Sequence, residues 1–167
     1  MNDPQAVDSL RIWHCKYRSL QGLQVFAQVR TLLIATYPDP TLELLTPLVR
    51  LRYLSILHLP KVTDLAPLQH LRELEVLSLA TLPSWDSSGK TTEVDSLEPL
   101  AHLPALRHLE LFGVRPRDHS LAPLERCPQL RSARFHKYSA SETQRFYAQT
   151  RISDAHAPRP PEPGTAP

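Results

Sequence analysis

Two stretches of this chain repeat each other closely enough to dictate its architecture. Residues 65–82 read LAPLQHLRELEVLSLATL and residues 97–114 read LEPLAHLPALRHLELFGV, with eight identities in 18 positions. The identities in the second copy are Leu97, Pro99, Leu100, His102, Leu103, Leu106, Leu109 and Leu111. A leucine at every third position suits a short 3₁₀ or α turn. The L-x-L pair that follows alternates with a period of two, as a strand with one buried face does. No such unit can bury its leucines alone, whereas stacked copies can, so the pattern implies a solenoid of strand-and-turn coils.

The same template finds further coils. Leu121, Pro123, Leu124, Cys127, Leu130, Ala133, Phe135 and Tyr138 make one, and Leu20, Leu23, Phe26, Val29, Leu32, Ile34 and Tyr37 a weaker one. Leu45, Pro47, Leu48, Leu51, Leu54, Leu57, Leu59 and Val62 read as another, and Val7, Leu10, Ile12 and Cys15 as an opening half coil. Strand markers then fall at Leu10, Leu32, Leu57, Leu77, Leu109 and Ala133, in steps of 22, 25, 20, 32 and 24 residues. The long step contains an insertion, Pro83–Asp95 (PSWDSSGKTTEVD). On this reading the turn after Leu59 is shortened.

This run of residues resembles the leucine-rich repeats of internalins and of the phosphatase-regulator type, over about residues 7–138. The resemblance implies an α/β, right-handed leucine-rich-repeat solenoid of about six coils. Short parallel strands would line its concave face and 3₁₀ or α turns its convex face. The asparagine that the family places after each L-x-L strand is missing here.

Prolines number 17 and glycines 4, which favours stiff, repeated corners over flexible loops. Asp64, Ser96, Ser120 and Ser19 stand where an oxygen can cap the turn that follows. Pro47, Pro67, Pro99 and Pro123 fall in the first turn, where a missing N–H costs little. Ser139-Ala140-Ser141-Glu142 has the spacing of a capping box. It predicts a closing helix over about residues 140–152, with Phe146 and Tyr147 covering Phe135 and Leu130. The expected organisation is a single domain over residues 1–153, then a disordered, proline-rich tail over 154–167.

The formal charge is +2, with 19 basic residues interleaved among 17 acidic ones, which argues against nucleic acid as a partner. No secretory signal and no apolar run of membrane-spanning length is apparent, so the expectation is a cytoplasmic protein with reduced thiols and no membrane partner. Four scattered glycines cannot build a phosphate loop, and neither C-x-x-C nor H-E-x-x-H occurs. His70 and His102 share one repeat position, which is a structural pattern, and Cys127 takes a core leucine position. No metal, cofactor or small-molecule substrate is expected. A Ser78–His58–Glu110 grouping can be drawn on paper, but an open sheet does not exclude water, and the chain is read as not an enzyme.

Function is then expected on the concave face, in the residues that alternate with the core leucines. By this register the middle column is Arg11, Leu33, His58, Ser78, Glu110 and Arg134. The column after it is Trp13, Ala35, Pro60, Ala80, Phe112 and His136, and the column before it Ser9, Thr31, Ile56, Val76, His108 and Ser132. An apolar centre framed by aromatic and charged residues has the make-up of an interface. The candidate partner-binding residues are Arg11, Trp13, Leu33, His58, Glu110, Phe112, Arg134 and His136, with Trp85 of the insertion on the rim. The expected function is that of a monomeric adaptor, regulator or immunity-type inhibitor that binds a protein. A secreted, host-directed interaction protein is the alternative, and a stripe covered by the chain itself is the plain structural one.

Overall fold

The computed structural model describes residues 3–13 and 16–162. Within them, β1 (Ser9–Ile12), β2 (Thr31–Ile34), β3 (Tyr53–Leu57), β4 (Val76–Ala80), β6 (His108–Phe112) and β8 (Ser132–His136) form one parallel sheet. They lie side by side in chain order, so each coil stacks on the one before it. Leu32, Leu54, Leu77, Leu109 and Ala133 are all at most 1% exposed and run through the core as a ladder, as the L-x-L pattern requires. This is the leucine-rich-repeat solenoid expected from the sequence.

One register is corrected. Leu32 pairs with Leu54 and Leu54 with Leu77, so the third coil's marker is Leu54 and not Leu57. From Leu10 to Ala133 the steps become 22, 22, 23, 32 and 24 residues. The reason is degeneracy: leucines occupy 42, 45, 48, 51, 54 and 57, so the template can slide by three positions and still land on leucine. The cap settles the choice, because the Thr41 hydroxyl accepts from Glu43 N–H at 3.2 Å, one residue before Leu42. Pro47 therefore lies beyond the 3₁₀ turn Glu43–Leu45 and is not in its first turn, and the third coil is not shortened.

The other caps stand where expected. Asp64 accepts from Ala66 N–H at 2.8 Å, Ser96 from Glu98 at 3.0 Å, Ser120 from Ala122 at 3.2 Å and Ser19 from Gln21 at 3.3 Å. Each satisfies a donor that the short convex turn leaves over. These turns are 3₁₀ at Gln21–Val25, Ala66–His70 and Ala122–Arg126, and a single α turn, α2, at Glu98–Ala101. In place of the family's asparagine stand Tyr37, Leu59, Leu82, Val114 and Tyr138. Tyr37 donates to Thr41 O and Tyr138 to Val114 O, each at 2.8 Å, so two phenols bond the backbone that an amide would otherwise bond.

The insertion is ordered. Its start is the short helix α1 (Pro83–Ser87), and its end is β5 (Thr92–Val94), which pairs in parallel with β7 (Val114–Pro116) of the next coil. Gly113, between β6 and β7, has φ 73°, and a Cβ there would sit 2.3 Å from Thr81 Oγ1, so no other residue fits without displacement. The closing helix α3 (Ala140–Thr150) buries Phe146 completely, with its ring edge-on to Phe135 at 5.2 Å. Only half of the expected capping box forms. Ser139 Oγ accepts from Glu142 N–H at 3.2 Å, but the Glu142 carboxylate turns to the neighbouring coil and accepts from Leu121 N–H at 2.7 Å.

Candidate partner-binding face

Because strand residues alternate, the positions between the core leucines form the concave surface. The observed middle column is Arg11, Leu33, Ser55, Ser78, Glu110 and Arg134. The column before it is Ser9, Thr31, Tyr53, Val76, His108 and Ser132. The three-residue slip in coil three thus misplaced His58, Pro60 and Ile56. Ile56 is fully buried in the core, and Ser55 and Tyr53 take the concave positions. A weighting of the leucine ladder by its Thr41 cap would have found them.

His58 lies just past β3 at φ 71°, the same coil position as Gly113 and as Lys137 at φ 69°. Here the chain leaves the sheet through a left-handed residue. His58 is 9% exposed, and its ring meets the Trp85 ring edge-on at 4.7 Å. Burial pushes its pKa below the ordinary imidazole value. His58 and Trp85 therefore form a joint between insertion and solenoid. Ser78 Oγ does reach Glu110 Oε2 at 3.2 Å, but the imidazole is elsewhere, so the Ser78–His58–Glu110 grouping is not assembled.

The insertion also ties to the last strand. His136 Nδ1 is 3.2 Å and Lys137 Nζ 3.5 Å from Asp86 Oδ1, and Lys137 Nζ donates to Asp86 O at 3.1 Å. His136, Trp85 and Phe112 therefore lie near one rim, at the C-terminal ends of β4, β6 and β8. At the opposite end of the sheet Trp13 is 50% exposed, Arg11 is exposed and Leu33 is half-buried.

The tail lies on this face. Residues 154–162 have no regular secondary structure, and hydrogen bonds join them to the sheet. Residues 163–167 and Cys15 lie outside the described residues. Ser153 pairs with Ser132 beside β8. Arg134 Nη1 then donates to Asp154 O at 3.2 Å, and Ala157 N–H donates to Glu110 Oε1 at 3.0 Å. Further on, Pro158, Arg159 and Pro161 bound a cavity of about 430 Å³ whose floor includes Ser9, Thr31, Tyr53 and Val76. The segment thus crosses from β8 over β6 towards β4, β3, β2 and β1. Proline composition foretold its lack of a core of its own; nothing in its sequence announced a surface for it to lie on.

Chemistry elsewhere is sparse. The Cys127 thiol is buried, donates to Leu100 O at 3.5 Å, and has its pKa pushed up to about 12 by desolvation. A thiol held protonated in this way is a poor nucleophile. His70 and His102 are exposed on the convex side. Among the described residues no three His, Cys, Asp or Glu side chains group as a metal site, and no helix is long and apolar enough to cross a membrane.

This face belongs to a class of scaffold, the leucine-rich-repeat solenoid, and one known structure agrees. The chain is similar to internalin C2 of Listeria monocytogenes, with 22% identity and a TM-score of 0.59, over 78% of this chain and 52% of that one. A second internalin of the same organism, inlF, aligns with 17% identity and a TM-score of 0.42, over 81% of this chain and 50% of that one. The chain spans about half the length of these structures, and the first likeness supports the fold alone. No family model and no curated protein matches the sequence.

Proposed function

We propose that this chain is a non-catalytic protein-binding module that docks a protein partner on the concave sheet and the adjacent rim. One observation carries the reading. The sheet and its rim present Arg11, Trp13 and Leu33 at one end and Phe112, His136 and Trp85 at the other, on a scaffold whose stability comes from the leucines behind them. Side chains that alternate with a core ladder can vary without harming the fold, and Trp, Arg and Phe are residue types that anchor interfaces. Six strands at about 4.8 Å spacing span about 24 Å, so a standard footprint of about 800 Å² per partner takes in the rim as well. An adaptor, regulator or inhibitor would all use such a surface.

The test is co-purification from the native host with the wild-type chain and with Trp13→Ala and Phe112→Ala. The expected result is at least a tenfold loss of a recovered partner with each substitution. Recovery of the same partner, undiminished, with both variants would remove the concave face from the proposal.

A further inference from the structure

We infer that the concave face is a groove for an extended, proline-rich peptide segment, and that residues 154–162 (DAHAPRPPE) are its resident occupant, which a partner segment of like chemistry displaces. The inference rests on the concave face being the docking surface, and it names the chemistry of what docks there.

Three observations on the tail support it. First, the segment reaches the face by a built path. Tyr147 Oη anchors α3 to Ala133 O at 2.7 Å, Ser153 N–H donates to Arg131 O at 3.1 Å, and the chain then turns across the sheet. Second, its half-buried residues are Ala157 and Pro160, three apart, with exposed neighbours on each side. A period of three is that of the polyproline II helix, which prolines pre-set and which leaves backbone donors and acceptors outward. Third, the groove offers what such a segment lacks internally. Glu110, with a side chain 14% exposed, is held by Ser78 and accepts the Ala157 N–H, and Tyr53 faces the cavity that Pro158 and Pro161 bound. Proline-rich segments dock in aromatic-lined grooves, and a carboxylate that accepts a backbone N–H makes a charge-assisted bond stronger than a neutral one.

The occupancy is incomplete, and that gives it a function. Over β1 to β4 the segment leaves the cavity of about 430 Å³ beneath it, where a longer or bulkier segment would fit. Tethering sets the strength of the competition. An effective concentration of about 1 mM against an intrinsic dissociation constant of about 0.1 mM would leave roughly one face in ten open. The tail then acts as a filter, excluding weak ligands while admitting a partner that binds more tightly.

The experiment uses a dye-labelled peptide of sequence DAHAPRPPE, followed by fluorescence anisotropy against two forms of the full chain. One form is native. The other carries Ala157→Pro, which removes the N–H given to Glu110, and Pro160→Asp, which places a charge at the half-buried position. The expected result is about tenfold tighter binding to the substituted chain. Adding Glu110→Ala to it should then weaken binding about fivefold, and a peptide with serine in place of each proline should bind at least fivefold less well. Equal affinity for both forms, or no effect of Glu110→Ala, or equal binding of the serine peptide, or no binding to either form, would each overturn the inference. As a check without substitutions, the Ala157 amide of the native chain should exchange its hydrogen about tenfold more slowly than in the free peptide; an equal rate also overturns it. These outcomes are separate from the Trp13 and Phe112 test, which reports on a protein partner whatever the tail does.

Discussion

The first and last coils meet solvent in different ways. At the C-terminal end α3 lies over the open core and Phe146 is fully buried, with the Tyr147 and Phe135 rings flanking its own at 5.6 and 5.2 Å. Arg145 ties the helix to the solenoid through Glu125 and to itself through Glu142. At the N-terminal end Leu10 and Ile12 are only half-buried and, with Leu20, Leu23 and Phe26, border an open hollow of about 390 Å³. The described N-terminal residues offer one 3₁₀ turn, Pro4–Ala6, with no buried residue. In a structure where each coil leans on its neighbours, a sealed end is a source of stability and an open one a source of fraying.

That contrast can be broken by substitution. Phe146→Ala should have the largest effect, about 3–5 kcal/mol off the unfolding free energy in urea, because it opens a cavity in the seal. Gly113→Ala should cost about 2 kcal/mol, from a left-handed φ and the clash with Thr81, and Thr81→Ala in the same chain should restore part of it. Glu142→Gln should cost about 1 kcal/mol at neutral pH, through the weaker bond to Leu121 N–H. Leu10→Ala should cost less than about 1 kcal/mol, since half of that side chain already faces water. Hydrogen exchange should run in parallel, fastest in β1 and slowest in β6 and β8. A Leu10→Ala loss as large as that of Phe146→Ala would show that the N-terminal end is as well sealed as the other.

The seal also has a pH signature. The hydrogen bond from Arg145, followed by that from Leu121 N–H, holds the Glu142 carboxyl down at about 2, against 4.5 ordinarily. A group depressed in the folded state stabilises it fully above the unfolded value and ceases to do so as pH falls through the folded one. The wild-type chain should therefore lose melting temperature between about pH 4.5 and 2 more steeply than Glu142→Gln does. Parallel curves for the two would detach this carboxylate from the cap.

Much of the fold was legible because its cause is local. The leucine spacing, the Ser and Asp caps and the S-x-x-E start of α3 each act within a few residues, and each is found in place. Coil three was misread where one spacing served two purposes: leucines every third residue from 42 to 57 make turn and strand look alike. His58 was lost with it, and its contact with Trp85, 27 residues on, leaves no local trace. The tail was illegible for a related reason. Its bond from Ala157 to Glu110 spans 47 residues, and a proline-rich composition states only that a segment has no core of its own.

The run of leucines from 42 to 57 also bears on how this chain can change over generations. In the last coil a shift of three residues would bring His136 into the place that Ala133 holds in the ladder. In coil three it would replace one leucine by the next, so that the core stays filled while the concave residues move along by three. Ser55 and Tyr53 would give way to His58 and Ile56 on the face. The third coil is therefore a place where natural variation can rewrite the binding surface in a single step and leave the scaffold intact.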